Sequence, residues 1–120
     1  MDVEDKVGIV TGAGGGIGRA IALRLARSGV HLVLVDVAPK GIEVLVREIE
    51  QSGGRALACR ANVGDESDVG ACLELAVAEY GRVDILVNNA GISPKKPDGT
   101  KASLTEIPLA EWEEVMRVNL

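Results

Sequence analysis

Apolar and polar positions follow two rhythms along this chain: short unbroken apolar runs, and longer stretches in which apolar residues return every three or four positions. The first kind reads as buried strands and the second as amphipathic helices. Val7 to Val10 is a branched apolar run, suited to a strand covered on both faces. Ile17, Ile21 and Leu25 then fall on one helical face, with Arg24, Arg27 and Ser28 on another. Ser28-Gly29 closes that helix, and His31 to Asp36 (HLVLVD) forms a second strand ending in a carboxylate. Ile42, Leu45, Val46 and Ile49 mark a helix between Pro39 and Gln51, ended by Ser52-Gly53-Gly54. Arg55 to Ala61 is the third strand, with Leu57 and Cys59 on one face. Asp65 caps the next helix, which carries Val69, Cys72, Leu73, Ala76 and Tyr80 and stops at Gly81. Val83 to Asn89 (VDILVNN) is a fourth strand. A long loop from Ile92 to Ile107 leads into a last helix, where Leu109, Trp112 and Met116 share a stripe and Asn119 falls on it.

This strict alternation predicts an α/β fold, a parallel sheet wound on both faces by helices, in the order βαβαβαβ plus a final helix. No repeat or linker divides it, so residues 1–120 form a single domain.

The chemistry concentrates between the first strand and the first helix. From Gly12 to Gly18 the chain is mostly glycine, so its backbone can take positive φ and approach a ligand that any Cβ would block. The helix begins inside this run, and its unpaired N–H groups and positive dipole end suit a phosphate. The strict G-x-G-x-x-G pattern is absent, because Ile17 stands where the third glycine belongs. No glycine is followed by Lys and Ser or Thr as a nucleotide triphosphate loop requires. What remains is Thr11-Gly12-x-x-x-Gly16-x-Gly18, with Thr11 able to tie the turn through its hydroxyl. Asp36, at the carboxyl end of the neighbouring strand, can accept both ribose hydroxyls of an adenosine and would repel a 2′-phosphate, which favours NAD over NADP. No Lys or Arg lies in the glycine loop or directly after Asp36 to reverse that preference. Asn62 is a polar group at another strand end, suited to an adenine edge. The carboxamides of Asn88 and Asn89 can brace neighbouring loops and line a cofactor floor.

Composition narrows the partners. The net charge is -5, Phe is absent, and Tyr80 and Trp112 are the only aromatics, which argues against a nucleic-acid partner. The start Met1-Asp2-Val3-Glu4-Asp5 is acidic where a signal peptide would be basic, and no apolar run reaches membrane-spanning length, so a cytoplasmic protein without membrane association is expected. Cys59 and Cys72 read as buried thiols, Cys72 on a stripe with Val69, Leu73 and Ala76. His31, with no second histidine in the chain, reads as a strand-edge residue rather than a metal ligand.

Thr11-Gly12-Ala13-Gly14-Gly15-Gly16-Ile17-Gly18, Asp36, Asn88-Asn89-Ala90-Gly91 and Val118-Asn119-Leu120 resemble, in order and spacing, the short-chain dehydrogenase/reductase family. Within it the chain is most similar to 3-oxoacyl-[acyl-carrier-protein] reductases and related alcohol or sugar dehydrogenases. The resemblance implies a Rossmann-type doubly wound sheet and an NAD(H)-dependent oxidoreductase acting on a small carbonyl or alcohol substrate. It places Gly12, Gly16, Ile17 and Gly18 at the pyrophosphate, Asp36 at the ribose, Asn62 and Val63 at the adenine, and Asn88, Asn89, Ala90 and Gly91 on the central sheet and cofactor, with Thr11, Gly14, Gly15 and Val37 also among the cofactor-binding residues. Asn62 departs from the family, which commonly has Asp there. Asn119 matches the relay asparagine that holds a water on the proton path. The family's serine and Tyr-x-x-x-Lys fall beyond Leu120, and Tyr80, with no Lys four positions on, does not replace them. The chain is therefore expected to be the amino-terminal portion of such an enzyme, cut at Leu120 and inactive alone, the whole protein being a homodimer or homotetramer. A nucleotide-binding regulatory module, or a fragment dimerising through the Leu109, Trp112 and Met116 helix, is the alternative reading.

Overall fold

The computed structural model describes residues 2–89. Within them strands and helices alternate as β1 (Val7–Thr11), α1 (Gly16–Arg27), β2 (His31–Asp36), α2 (Pro39–Gln51), β3 (Ala56–Arg60), α3 (Glu66–Tyr80) and β4 (Ile85–Val87). The expected loop from Ile92 and the helix bearing Leu109, Trp112 and Met116 lie outside the described residues. Every strand pairing is parallel, in the order β3-β2-β1-β4. The chain thus winds outward from β1 through β2 to β3, then crosses back to set β4 on the other side of β1. Such a reversal leaves a crevice outside the carboxyl ends of β1 and β4, where open α/β sheets bind ligands.

The apolar runs are covered on both faces because successive side chains point opposite ways. Val10, Leu32 and Leu34 pack with Ala22, Ile42, Leu45 and Ile49 under α1 and α2. Ile9, Val33 and Val35 pack with Cys72 and Ala76 of α3. Each fully buried Val, Leu or Ile contributes about 1.5–3 kcal/mol.

Two helices turn a different face inward from the one their largest residues mark. In α1 the buried residues are Gly18 and Ala22, with Leu25 and Ala26 partly buried, while Ile17 is 72% exposed. In α3 they are Cys72 and Ala76, while Val69 and Leu73 are exposed. The reason is distance: a helix lying close on a sheet needs small residues at the contact, and the large ones are pushed to its flanks.

The fourth strand is also shorter than Val83 to Asn89, because side-chain groups replace ladder partners where its ends meet β1. Asp84 accepts the Val7 N–H on its carboxylate (2.9 Å) and donates its own N–H to the Val7 carbonyl (2.8 Å). Asn89 donates its N–H to the Val87 carbonyl (3.1 Å), which turns the chain out of the ladder. Among the described residues no helix is long and apolar enough to cross a membrane.

Candidate functional site

β1 ends at Thr11, and the loop after it is held from both sides before α1 begins. Gly12 and Gly16 have φ of 64° and 58°, values that glycine adopts without steric cost. On the β4 side, the Asn89 side-chain amide donates to the Gly12 carbonyl (3.2 Å). The Asn89 main-chain N–H donates to the Thr11 hydroxyl (3.0 Å), which donates to the Val87 carbonyl (3.3 Å). On the β2 side, Gly14 donates its N–H to Asp36 Oδ2 (2.9 Å), and Asp36 Oδ1 accepts the Ala38 N–H (3.1 Å). The acid at the end of β2 is therefore a brace for the loop as well as a charge beside it.

Packing is as tight as the bonding. A Cβ on Gly18 would lie 2.1 Å from the Gly12 carbonyl oxygen and 2.6 Å from the Asn89 amide nitrogen. A Cβ on Gly41, in the first turn of α2, would lie 2.4 Å from the Gly14 carbonyl oxygen. Gly41 escapes a reading of the sequence; the signal was a glycine where a helix would be better served by alanine.

Gly15 and Gly16 are different, for a Cβ on either would meet nothing within 4 Å. Here α1 starts, with Gly15 as its N-cap, no side chain among the described residues accepting its first N–H groups and no acidic residue in its first turn. Ile17 is exposed beside them. A helix start left in this state presents N–H donors and the positive end of the dipole to whatever approaches, which suits an anion.

Along the same carboxyl edge stand Val37, exposed after Asp36, and Asn62, exposed after β3. The Asn62 side-chain oxygen accepts the Gly64 N–H (2.9 Å), and its main-chain N–H donates to Asp68 (2.8 Å). Its amide NH2 is thus the part left for an outside acceptor, and Val63 packs inward with the α3 cluster. Direct bonds join Gly14 to Asp36 and both Thr11 and Gly12 to Asn89. Asn62 shares the edge without touching them. Ala90, Gly91 and Asn119 lie outside the described residues.

The other titratable groups are elsewhere. The Tyr80 hydroxyl donates to the Leu32 carbonyl (3.5 Å), its ring lies 5.4 Å from that of His31, and burial, with Glu79, raises its pKa. Burial, then the neighbouring Cys59 thiol, pushes Cys72 up to about 12, so it is inert as a nucleophile. Among the described residues no His, Cys, Asp and Glu group could hold a metal ion. A groove of about 870 Å³ runs between α1 and α2, lined in part by Arg19, Leu23, Ile49 and Arg55, and none of the expected site residues borders it.

Comparison with known proteins agrees with this geometry. The family model for short chain dehydrogenases matches residues 6–120. The 7alpha-hydroxysteroid dehydrogenase of Escherichia coli (strain K12) is 36% identical over 120 residues, covering 100% of this chain and 44% of that protein. A crystal structure of 3-ketoacyl-(acyl-carrier-protein) reductase from Brucella melitensis complexed with NADH superposes with a TM-score of 0.84 at 38% identity, over 98% of this chain and 45% of that one. A short chain dehydrogenase/reductase from Burkholderia phymatum in complex with NAD gives 0.87 at 32% identity, over 100% of this chain and 41% of its own. The chain spans less than half the length of each of these relatives. With the sheet order, the glycine loop and the match over residues 6–120 in agreement, the chain belongs to the short-chain dehydrogenase family.

Proposed function

We propose that the protein carrying this chain is an NAD(H)-dependent oxidoreductase interconverting a secondary alcohol and its ketone, and that residues 1–120 are its dinucleotide-binding domain, incomplete at the carboxyl end. The observation that carries this is the start of α1, which has no side-chain cap, no acid in its first turn and open space at Gly15 and Gly16. That backbone fits a pyrophosphate, as a capped helix start would not.

In this reading Gly12, Gly14, Gly15, Gly16, Ile17 and Gly18 hold the pyrophosphate, while Thr11 and Asn89 keep the loop in shape. Asp36 spends one lone pair on each of two N–H groups and keeps acceptor capacity for ribose hydroxyls, beside Val37. Its charge opposes a 2′-phosphate, so NAD is preferred over NADP. Asn62 and Val63 flank the adenine, and Asn89, Ala90 and Gly91 are further cofactor-binding residues. When bound, the nicotinamide supplies the hydride acceptor or donor. Asn119 positions a water on the proton path; the acid/base tyrosine and its lysine belong to the part of the protein after Leu120, so the chain alone turns nothing over. The whole protein is read as a cytoplasmic homodimer or homotetramer that takes a small carbonyl or alcohol substrate and engages neither nucleic acid nor membrane. The relatives' names, a hydroxysteroid dehydrogenase and a 3-ketoacyl reductase, support a secondary alcohol or ketone as the substrate class.

The test is a titration of the whole protein with NADH, followed by nicotinamide fluorescence, with NAD reduction then assayed on a panel of secondary alcohols. Saturable binding in roughly the micromolar to millimolar range typical of enzyme substrates is expected. No saturable binding would overturn the reading.

A further inference from the structure

Strand register places a cation where the linear sequence hides it. β2 and β3 pair with Asp36 opposite Arg60, and the pairing continues past them in the bond from the Ala61 N–H to the Asp36 carbonyl (3.1 Å). Paired residues on neighbouring strands lie about 5 Å apart and share a face. The face is fixed twice over: Leu32 and Leu34, alternating with Asp36 on β2, pack under α1 and α2, and so does Ala56, which alternates with Arg60 on β3. Asp36 and Arg60 therefore stand side by side at the carboxyl edge, on the side of the glycine loop.

They do not pair with each other. Both Asp36 oxygens are engaged by main-chain N–H groups, of Gly14 and Ala38. Arg60 is exposed and has no carboxylate partner among the described residues. Lys40, in the first turn of α2 directly after the Asp36–Ala38 turn, is exposed as well.

We propose that Arg60 is a second determinant of cofactor choice, a guanidinium beside the ribose position that holds a 2′-phosphate once the charge of Asp36 is removed. The inference rests on the nicotinamide reading above and deepens it. A planar guanidinium grips a phosphate with two parallel N–H donors, which a lone lysine does not. Loss of the Asp36 charge then does more than relieve repulsion. It exposes a phosphate site already built on the neighbouring strand, so one substitution reverses the preference for NAD instead of merely erasing it.

The experiment measures dissociation constants for NADH and NADPH by nicotinamide fluorescence in the whole protein, in Asp36→Asn, and in Asp36→Asn combined with Arg60→Gln or Arg60→Lys. Asparagine keeps one acceptor oxygen, which can serve the Gly14 N–H at the expense of the Ala38 bond, so the loop brace survives the loss of charge. The wild type is expected to favour NADH, Asp36→Asn to favour NADPH by about tenfold, Arg60→Gln to remove most of that gain, and Arg60→Lys to keep part of it. A double variant with Arg60→Gln that binds NADPH as well as Asp36→Asn alone overturns the role of Arg60. An unchanged NADH to NADPH ratio in Asp36→Asn removes the ribose assignment itself and the proposal with it. Binding of neither nucleotide by the wild type removes the underlying function.

Discussion

Two helices of this fold begin at the same level, on the carboxyl side of the sheet, and treat their starts in opposite ways. At α3, Asp65 accepts the N–H groups of Ser67 (2.8 Å) and Asp68 (3.3 Å), and Glu66 and Asp68 add negative charge to the first turn. At α1, glycine stands in the capping position, no side chain among the described residues accepts the first N–H groups, and the first turn has no acid. An aspartate cap stabilises a helix by about 1 kcal/mol over alanine but only by about a few tenths of a kcal/mol over glycine. The glycine at α1 therefore forgoes little stability by leaving out the cap that α3 has. One helix start supplies its own anion, and the other has none among the described residues. The comparison teaches that an absence in the sequence, the missing cap, is as informative as the glycines around it.

The comparison breaks most sharply at Gly15. Its backbone is extended (φ -172°, ψ 176°), which any residue adopts, and its Cβ direction is open. Gly15→Asp should therefore give α1 the cap that α3 has. NADH affinity is expected to fall about 100-fold, or about 2.7 kcal/mol, because a carboxylate then stands where the proposed function puts the pyrophosphate. Thermal stability should hold or rise slightly, since aspartate caps better than glycine by only about a few tenths of a kcal/mol. Unchanged affinity would show that the start of α1 is not where the ligand sits.

Asp65→Ala is the converse. It should cost about 1 kcal/mol, seen as a Tm lower by roughly 2–8 °C, and leave NADH affinity within about threefold. An affinity loss as large as that of Gly15→Asp would mean that the α3 cap serves the site.

The smallest effect lies at the opposite end of the strands, where Asp84 accepts the Val7 N–H. The Arg82 hydrogen bond first, then the Val7 N–H, hold the Asp84 carboxyl below the ordinary aspartate value. A depressed folded value adds stability above the unfolded pKa of about 3.9, and that stability is lost as pH falls through the folded value. Asp84→Asn should therefore flatten the fall in Tm below about pH 4 and leave the profile near neutrality nearly parallel to the wild type. Equal slopes in acid would show that Asp84 is not among the groups that set acid stability.

Much of the fold could be read from local pattern. The bounds of β2 and α2, the Asp65 cap and the left-handed Gly81 after α3 follow from residues adjacent in the chain. What escaped depends on distance through space. Ile17, Val69 and Leu73 look like core by hydrophobicity, yet α1 and α3 approach the sheet through Gly18, Ala22, Cys72 and Ala76. The site divides in the same way. The glycine loop and Asp36 stand out as residue types, whereas the Gly14–Asp36 bond, the seat of Gly41 against Gly14 and the Arg60 position exist only once β2 and β3 are in register.

The Asn89 contacts bear on how the molecule is made. Its partners Gly12 and Thr11 lie 77 and 78 positions earlier in the chain. At ribosomal speeds of about 5–20 residues per second, some 4–15 s separate synthesis of the glycine loop from synthesis of the residue that clamps it. The glycine loop, among the first segments translated, thus waits for a residue 77 and 78 positions later before it takes its final shape. Any ligand of this loop can stabilise the nascent protein by mass action only after β4 has left the ribosome and joined β1.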